Sequence, residues 1–173
     1  MPVTINASTS SGVVITPDYS GNIQLQYNGV AAPLFHAYLG SSQAISSATY
    51  TKLNMDTEEF DTANCFNTST YRFTPTVAGY YQFNAQIDNQ TGSPTRQFLS
   101  LYKNGSTSKV GLDIGISTGN FSGAAGSVLS AFAYANGTTD YFELYCWCNG
   151  GMTVAAGSSG IQCYFQGYLV RGA

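Results

Sequence analysis

The chain has 173 residues, enough for one domain with a core that needs neither a metal nor disulfide staples. Only 9 % of them are charged, against roughly 25 % in an average soluble domain. The net charge of −3 excludes nucleic acid as a partner, because phosphates would need a basic stripe, and no apolar run is long enough for a membrane-spanning helix.

In chain order, residues 1–34 stand apart. The start, MPVTINASTSSG, has neither the basic n-region nor the apolar h-region of a secretory signal, so the expectation is synthesis and folding in a cytoplasm. Three short β-prone pieces follow one another, around Val3 to Ile5, Val13 to Thr16 and Ile23 to Tyr27, separated by Ser, Gly, Asp or Asn. None can build a core alone. The segment 1–34 reads as an extended arm for anchoring or for adding strands to a neighbour's sheet.

From Phe35 the pattern is denser. Apolar residues alternate or run briefly, and Gly, Asn, Ser and Thr clusters interrupt them, which predicts an all-β protein with two antiparallel sheets. The expected strands are Phe35 to Leu39, Tyr50 to Glu59, Thr70 to Pro75 and Tyr80 to Ile87, the last with Tyr81, Phe83, Ala85 and Ile87 on one face. Then come Arg96 to Lys103, Lys109 to Ser117, Ser127 to Ala135, Tyr141 to Cys148 and Ile161 to Val170. Nine or ten strands over residues 35–173 suit a two-sheet jelly roll. The hydrophobic last strand predicts a C-terminus stitched into the centre of a sheet. Asn-Gly at 28–29, 104–105 and 136–137 marks turns, and the N-x-S/T triplets at Asn6, Asn67, Asn89, Asn104, Asn120 and Asn136 read as turn chemistry rather than glycan acceptors.

Residues that could carry chemistry are few. His36 is the only histidine, and no G-x-S-x-G elbow is present, so an enzyme is not expected. Asp56, Glu58, Glu59 and Asp61 form the one acidic cluster. It reads as a solvated strand end, with calcium binding or a carboxylate pair for glycoside hydrolysis as the sharper alternatives. Gly115, Gly119, Gly123 and Gly126 lack the Lys-Ser/Thr ending of a phosphate loop. Cys65, Cys146, Cys148 and Cys163 contain no C-x-x-C pair, which argues against zinc. Buried free thiols are expected, with a pairing among Cys146, Cys148 and Cys163 left open.

Three segments, YRFTPTVAGYYQF, LYKNG and the final YFQGYLV, together resemble the globular head of the complement first component and its relatives, the jelly rolls of the tumour-necrosis-factor-like superfamily. The resemblance rests on Phe73, Val77, Gly79, Tyr81, Phe83, Leu101, Asn104, Gly105, Phe165, Gly167 and Leu169, with Phe35 opening the first strand, and it covers about 35–173. It implies a trimer-forming jelly roll. Phe35, Phe73, Gly79, Tyr81, Phe83, Asn104, Gly105, Phe165 and Gly167 are its fold and trimer signature, and it implies no catalytic residue, cofactor or metal.

The arm sequence SGVVITPDYSGNIQLQYNG is similar to the Ser/Gly-punctuated repeats before such heads in tailed-bacteriophage fibre and virion proteins. This resemblance implies a homotrimer on the virion surface, a capsid decoration or cement protein whose partner is the major capsid protein. The alternative is the receptor-binding tip of a tail or head fibre, with a tail component or host receptor as partner and with affinity in loops 88–95 or 149–160. Neither reading involves nucleic acid or membrane insertion. A secreted cytokine-like ligand fits less well, lacking a signal segment and the oxidised cysteines expected of one.

Overall fold

The computed structural model describes residues 3–5, 13–15, 26–27, 30–115, 126–156 and 163–173. Within these the chain is all β, with no helix. In the N-terminal segment, β1 (Val3–Ile5) pairs antiparallel with β2 (Val13–Ile15), and β3 (Gln26–Tyr27) with β4 (Val30–Ala31). Most of the expected arm, with Asn6 and the Asn28-Gly29 turn, lies outside the described residues.

The remaining strands form two seven-stranded sheets packed face to face. The first sheet contains β5 (Leu34–Tyr38), β6 (Gln43–Ile45), β8 (Thr57–Asp61), β11 (Gly79–Gly92), β15 (Gly126–Ala135), β17 (Met152–Val154) and β18 (Tyr164–Gly172). The second contains β7 (Thr51–Lys52), β9 (Phe66–Asn67), β10 (Arg72–Phe73), β12 (Arg96–Lys103), β13 (Ser106–Val110), β14 (Ile114–Gly115) and β16 (Phe142–Asn149). In the first, β15, β11, β18, β5 and β8 lie side by side, and β17 and β6 extend the sheet from the Asn89–Gly92 end of β11. In the second, the order is β13, β12, β16, β10, β9. The last strand, β18, is indeed central, between β11 and β5.

Alternation decides what each sheet buries. On β11, Tyr81, Phe83, Ala85 and Ile87 point inward and are at most 2 % exposed. They meet Leu99 and Leu101 of β12 and Phe142, Leu144, Cys146 and Cys148 of β16 in one core. Aromatic rings bridge the sheets: Phe35 stacks on Phe73 with centroids 4.3 Å apart, and Phe83 lies 4.6 Å from Phe142.

The expected boundaries need several corrections. Tyr50–Glu59 is not one strand. β7 belongs to the second sheet and β8 to the first, and between them Leu53 and Met55 plug the core at 0 % and 1 % exposure. The strand expected at Lys109–Ser117 begins earlier, at Ser106, directly after the Asn104-Gly105 turn. It breaks at Val110, because Gly111 and Leu112 donate backbone hydrogen bonds to Leu99 and Val128 in different sheets, and strand returns at Ile114–Gly115 against β12; 116 and 117 lie outside the described residues. Two three-residue strands, β6 and β17, were not expected at all. Residues 88–92 are strand rather than loop, with Asp88 paired to β15 and the stretch from Asn89 to Gly92 to β17, and 149 and 152–154 are likewise strand; 157–160 lie outside the described residues.

The turn reading of the N-x-S/T triplets holds at Asn67, whose Oδ1 accepts from the backbone N–H groups of Ser69 and Thr70, and at Asn136, which accepts from those of Thr138, Thr139 and Asp140. It fails at Asn89, a buried strand residue whose Nδ2 donates to Gln97 Oε1 at 2.6 Å.

Candidate functional site: a self-association face

The positions that alternate with the core build the outward face of the first sheet. β11 contributes Tyr80, Gln82, Asn84 and Gln86, and its register fixes their neighbours. Phe132, Gln82 and Tyr168 form one row across β15, β11 and β18; Ser130, Asn84 and Gln166 form the next; Val128, Gln86 and Tyr164 a third. The pairing of β18 with β5 continues the rows into Leu34, His36 and Tyr38, and that of β5 with β8 brings Phe60 opposite His36.

This face concentrates what a soluble surface normally hides. Of the eleven exposed large hydrophobic side chains among the described residues, eight lie on it: Leu34, Phe60, Tyr80, Val128, Phe132, Tyr134, Tyr168 and Val170. Phe132 is 59 % exposed and Tyr80 52 %. Its centre is polar but uncharged, with Gln82 Nε2 donating to Ser130 Oγ at 2.9 Å and to Asn84 Oδ1 at 3.0 Å. Such an apolar, nearly uncharged patch is characteristic of a surface that another protein covers.

His36 is the histidine inside the face. It is 8 % exposed, with Tyr164 stacked on it at 5.2 Å and Phe60 at 5.7 Å. Burial holds its pKa below the usual histidine value, and the nearby Glu59 carboxylate pulls the other way. Its Nδ1 lies 3.2 Å from Glu59 Oε2 but lacks the alignment of a hydrogen bond. The ring is packed between its neighbours rather than poised over a cleft.

The residues that carry the family resemblance lie elsewhere. Phe35, Phe73, Tyr81, Phe83 and Phe165 are all 0 % exposed and fill the space between the sheets. Gly167 and Gly79 are crowded. A Cβ on Gly167 would come 2.8 Å from ring carbons of both Phe35 and Phe83, and one on Gly79 would come 2.4 Å from the Arg171 carbonyl oxygen. Asn104 and Gly105 both have positive φ, 53° and 77°, as a type I′ hairpin demands. These residues build the sandwich. The outward face belongs to the positions between them, and the signal that could have found it is the alternating Tyr/Gln/Asn of YYQFNAQ and the Phe and Tyr of SAFAYA.

The acidic cluster is divided. Asp56 Oδ1 accepts from the Gly40 N–H at 2.7 Å, and the two oxygens of Asp61 accept from the N–H groups of Ala63 and Phe66, so these carboxylates tie down turns. Glu58 stands at the sheet edge with its pKa raised by partial burial and by Asp61. Among the described residues no three His, Cys, Asp or Glu side chains converge as a metal site. All four cysteines are buried and unpaired, their thiol pKa values raised by burial.

No known protein family and no curated protein matches the sequence. Solved structures do match the fold. The globular domain of zebrafish complement 1qA is similar with a TM-score of 0.57 at 15 % identity, over 82 % of this chain and 99 % of that one. The Eiger TNF of S. frugiperda matches with a TM-score of 0.63 at 12 % identity, over 82 % of this chain and 93 % of that one. Murine APRIL matches with a TM-score of 0.55 at 9 % identity, over 80 % of this chain and 99 % of that one. The fold is therefore the C1q/TNF-like jelly roll.

Proposed function

We propose that this chain is a non-enzymatic structural protein that assembles as a homotrimer through the outward face of its first sheet. The observation that carries the reading is the concentration of exposed aromatic and aliphatic side chains on β15, β11, β18 and β8, around a centre of amides rather than charges. Burying that face against two other copies removes apolar area from water, and the amide groups can hydrogen-bond across the contact. The jelly-roll fold and the sequence resemblance to trimer-forming heads support it.

The assembly is placed on the outside of a tailed-phage particle, as a capsid decoration or cement trimer contacting the major capsid protein. The arm sequence and the low charge, 9 % of residues, support this location. A receptor-binding fibre tip, contacting a tail component and a host receptor, is the second reading. It is favoured by the additional aromatic face on the second sheet, described below. The reading assigns no cofactor, nucleic acid or membrane insertion.

Copy number in purified particles separates the two. Quantitative mass spectrometry against the major capsid protein should give a ratio near one to one for a capsid-wide cement. A few to some dozens of copies per particle would sink cement and leave the fibre tip. Absence from particles would overturn the virion reading altogether.

A further inference from the structure

The outward face of the second sheet has no part in the assembly described above. On β16 the alternation that buries Leu144, Cys146 and Cys148 turns Glu143, Tyr145 and Trp147 outward, and the register sets Tyr102, Ser100 and Phe98 of β12 opposite them. The rings form a continuous track. Trp147 stacks on Phe98 with centroids 5.2 Å apart. Tyr50 lies 6.0 Å from Phe98 and 6.1 Å from Tyr102, and Tyr102 stacks on Tyr145 at 3.9 Å.

Cations stand at both ends of this track. The Arg96 guanidinium lies 5.4 Å and 5.5 Å from the Phe98 and Trp147 rings, with its charge met by Asp113. At the other end the charges do not balance. Lys52 Nζ and Arg72 Nε both donate to one oxygen, Glu143 Oε1, at 2.8 Å and 2.7 Å, and Glu143 is buried. Two cations on one carboxylate leave one positive charge in excess on a chain whose net charge is −3. Arg72 sits over the Tyr141 ring at 4.2 Å, and it bonds Glu143 through Nε, which leaves its two terminal nitrogens for an incoming carboxylate.

We propose that this face binds a carboxylate-bearing saccharide. The C–H faces of the sugar rings pack along Tyr145, Tyr102 and Tyr50, and the carboxylate is received by Arg72 beside Lys52. Charge complementarity selects the acid. A polyphosphate chain offers charge but no apolar face to lie against the tyrosine rings. An extended acidic peptide is disfavoured because the backbone groups of β12 and β16 are already consumed by their neighbours, so no strand can be added in the middle of the sheet. In an assembly closed through the first sheet, this opposite side of the sandwich stays outside, but the site itself needs only one chain.

The experiment is calorimetric titration of the full chain with polygalacturonate oligomers, with their methyl esters and with polyglutamate, at low and at physiological salt. Tyr50→Ala and Arg72→Gln are the variants. Tyr50 lies outside the strands at 46 % exposure, so its removal leaves the sandwich intact. The expected result is binding to polygalacturonate that weakens by at least about tenfold in each variant, with the methyl ester bound far more weakly. Polyglutamate bound as tightly, with Tyr50→Ala without effect, would overturn the saccharide in favour of a merely acidic partner. No binding to polygalacturonate, nor to alginate or polysialate tried in its place, would overturn the proposal. Particle mass, measured on the same samples, reports separately on self-association.

Discussion

A methyl group added at Gly167 would sit 2.8 Å from ring carbons of both Phe35 and Phe83, inside ordinary contact distance. Neither ring has room to yield, because Phe35 is stacked on Phe73 and Phe83 is packed against Phe142. Gly167→Ala should therefore lower unfolding stability by about 1–3 kcal/mol, read from denaturant midpoints. The four thiols make a second residue-scale case. Burial raises the pKa of Cys65, Cys146, Cys148 and Cys163, so little thiolate is present near neutral pH. A thiol reagent at pH 8 should leave the native protein unlabelled and titrate four thiols after denaturation. Rapid labelling of the native state would contradict the packing described. His36 supplies a pH dependence between the neutral and mildly acidic range. Its pKa is lowered in the fold, so the folded state binds fewer protons than the unfolded chain below the unperturbed value of about 6.5. The stability it contributes is complete above that pH and is lost as pH falls towards the folded value. The drop in melting temperature between pH 7.5 and pH 5.5 should be smaller in His36→Gln than in the parent.

At the scale of the elements, the hairpin joining β12 and β13 depends on two consecutive residues with positive φ, Asn104 at 53° and Gly105 at 77°. Gly105→Ala forces a Cβ into the left-handed region and should cost about 1–2 kcal/mol, checked by the same denaturant measurement. The long strands were legible because their alternation is regular: β12 occupies Arg96–Lys103 as the sequence reads, and Tyr81, Phe83, Ala85 and Ile87 share the buried face of β11. The short strands were not legible. Gln43–Ile45 and Met152–Val154 are three residues each, and they are strands only through distant pairing: the first with the second, more than a hundred positions away in the chain, and the second with both the first and β11. The run from Tyr50 to Glu59 misled for a related reason. Its alternation is genuine, but it places Leu53 and Met55 in the core during a crossing between sheets, which local periodicity cannot distinguish from a strand. The candidate faces were half legible. Tyr80, Phe132 and Tyr168 could be recognised as strand residues, but their meeting in one plane follows from a register that brings together residues 80, 134 and 168–171.

For the whole molecule, the two outward faces differ in charge. The first sheet presents its aromatic residues around amides, with Glu58 and Glu59 on its β8 edge and Arg171 opposite Tyr80; the second turns Lys52, Arg72 and Arg96 outward around its aromatic track, while Lys103 turns back to Asp140 and Tyr134. The proposed self-association through the first would leave the second free for a partner outside the assembly. The central claim is that the first face joins copies of this chain, and sedimentation equilibrium of the parent and of a Phe132→Lys, Tyr168→Lys double variant tests it most directly. The account predicts a parent particle of three times the 18.4 kDa chain mass, and a double variant of single-chain mass with the β-sheet circular dichroism of the parent. A parent that stays at 18.4 kDa at tens of micromolar, or a double variant that keeps the parent's mass, would contradict it.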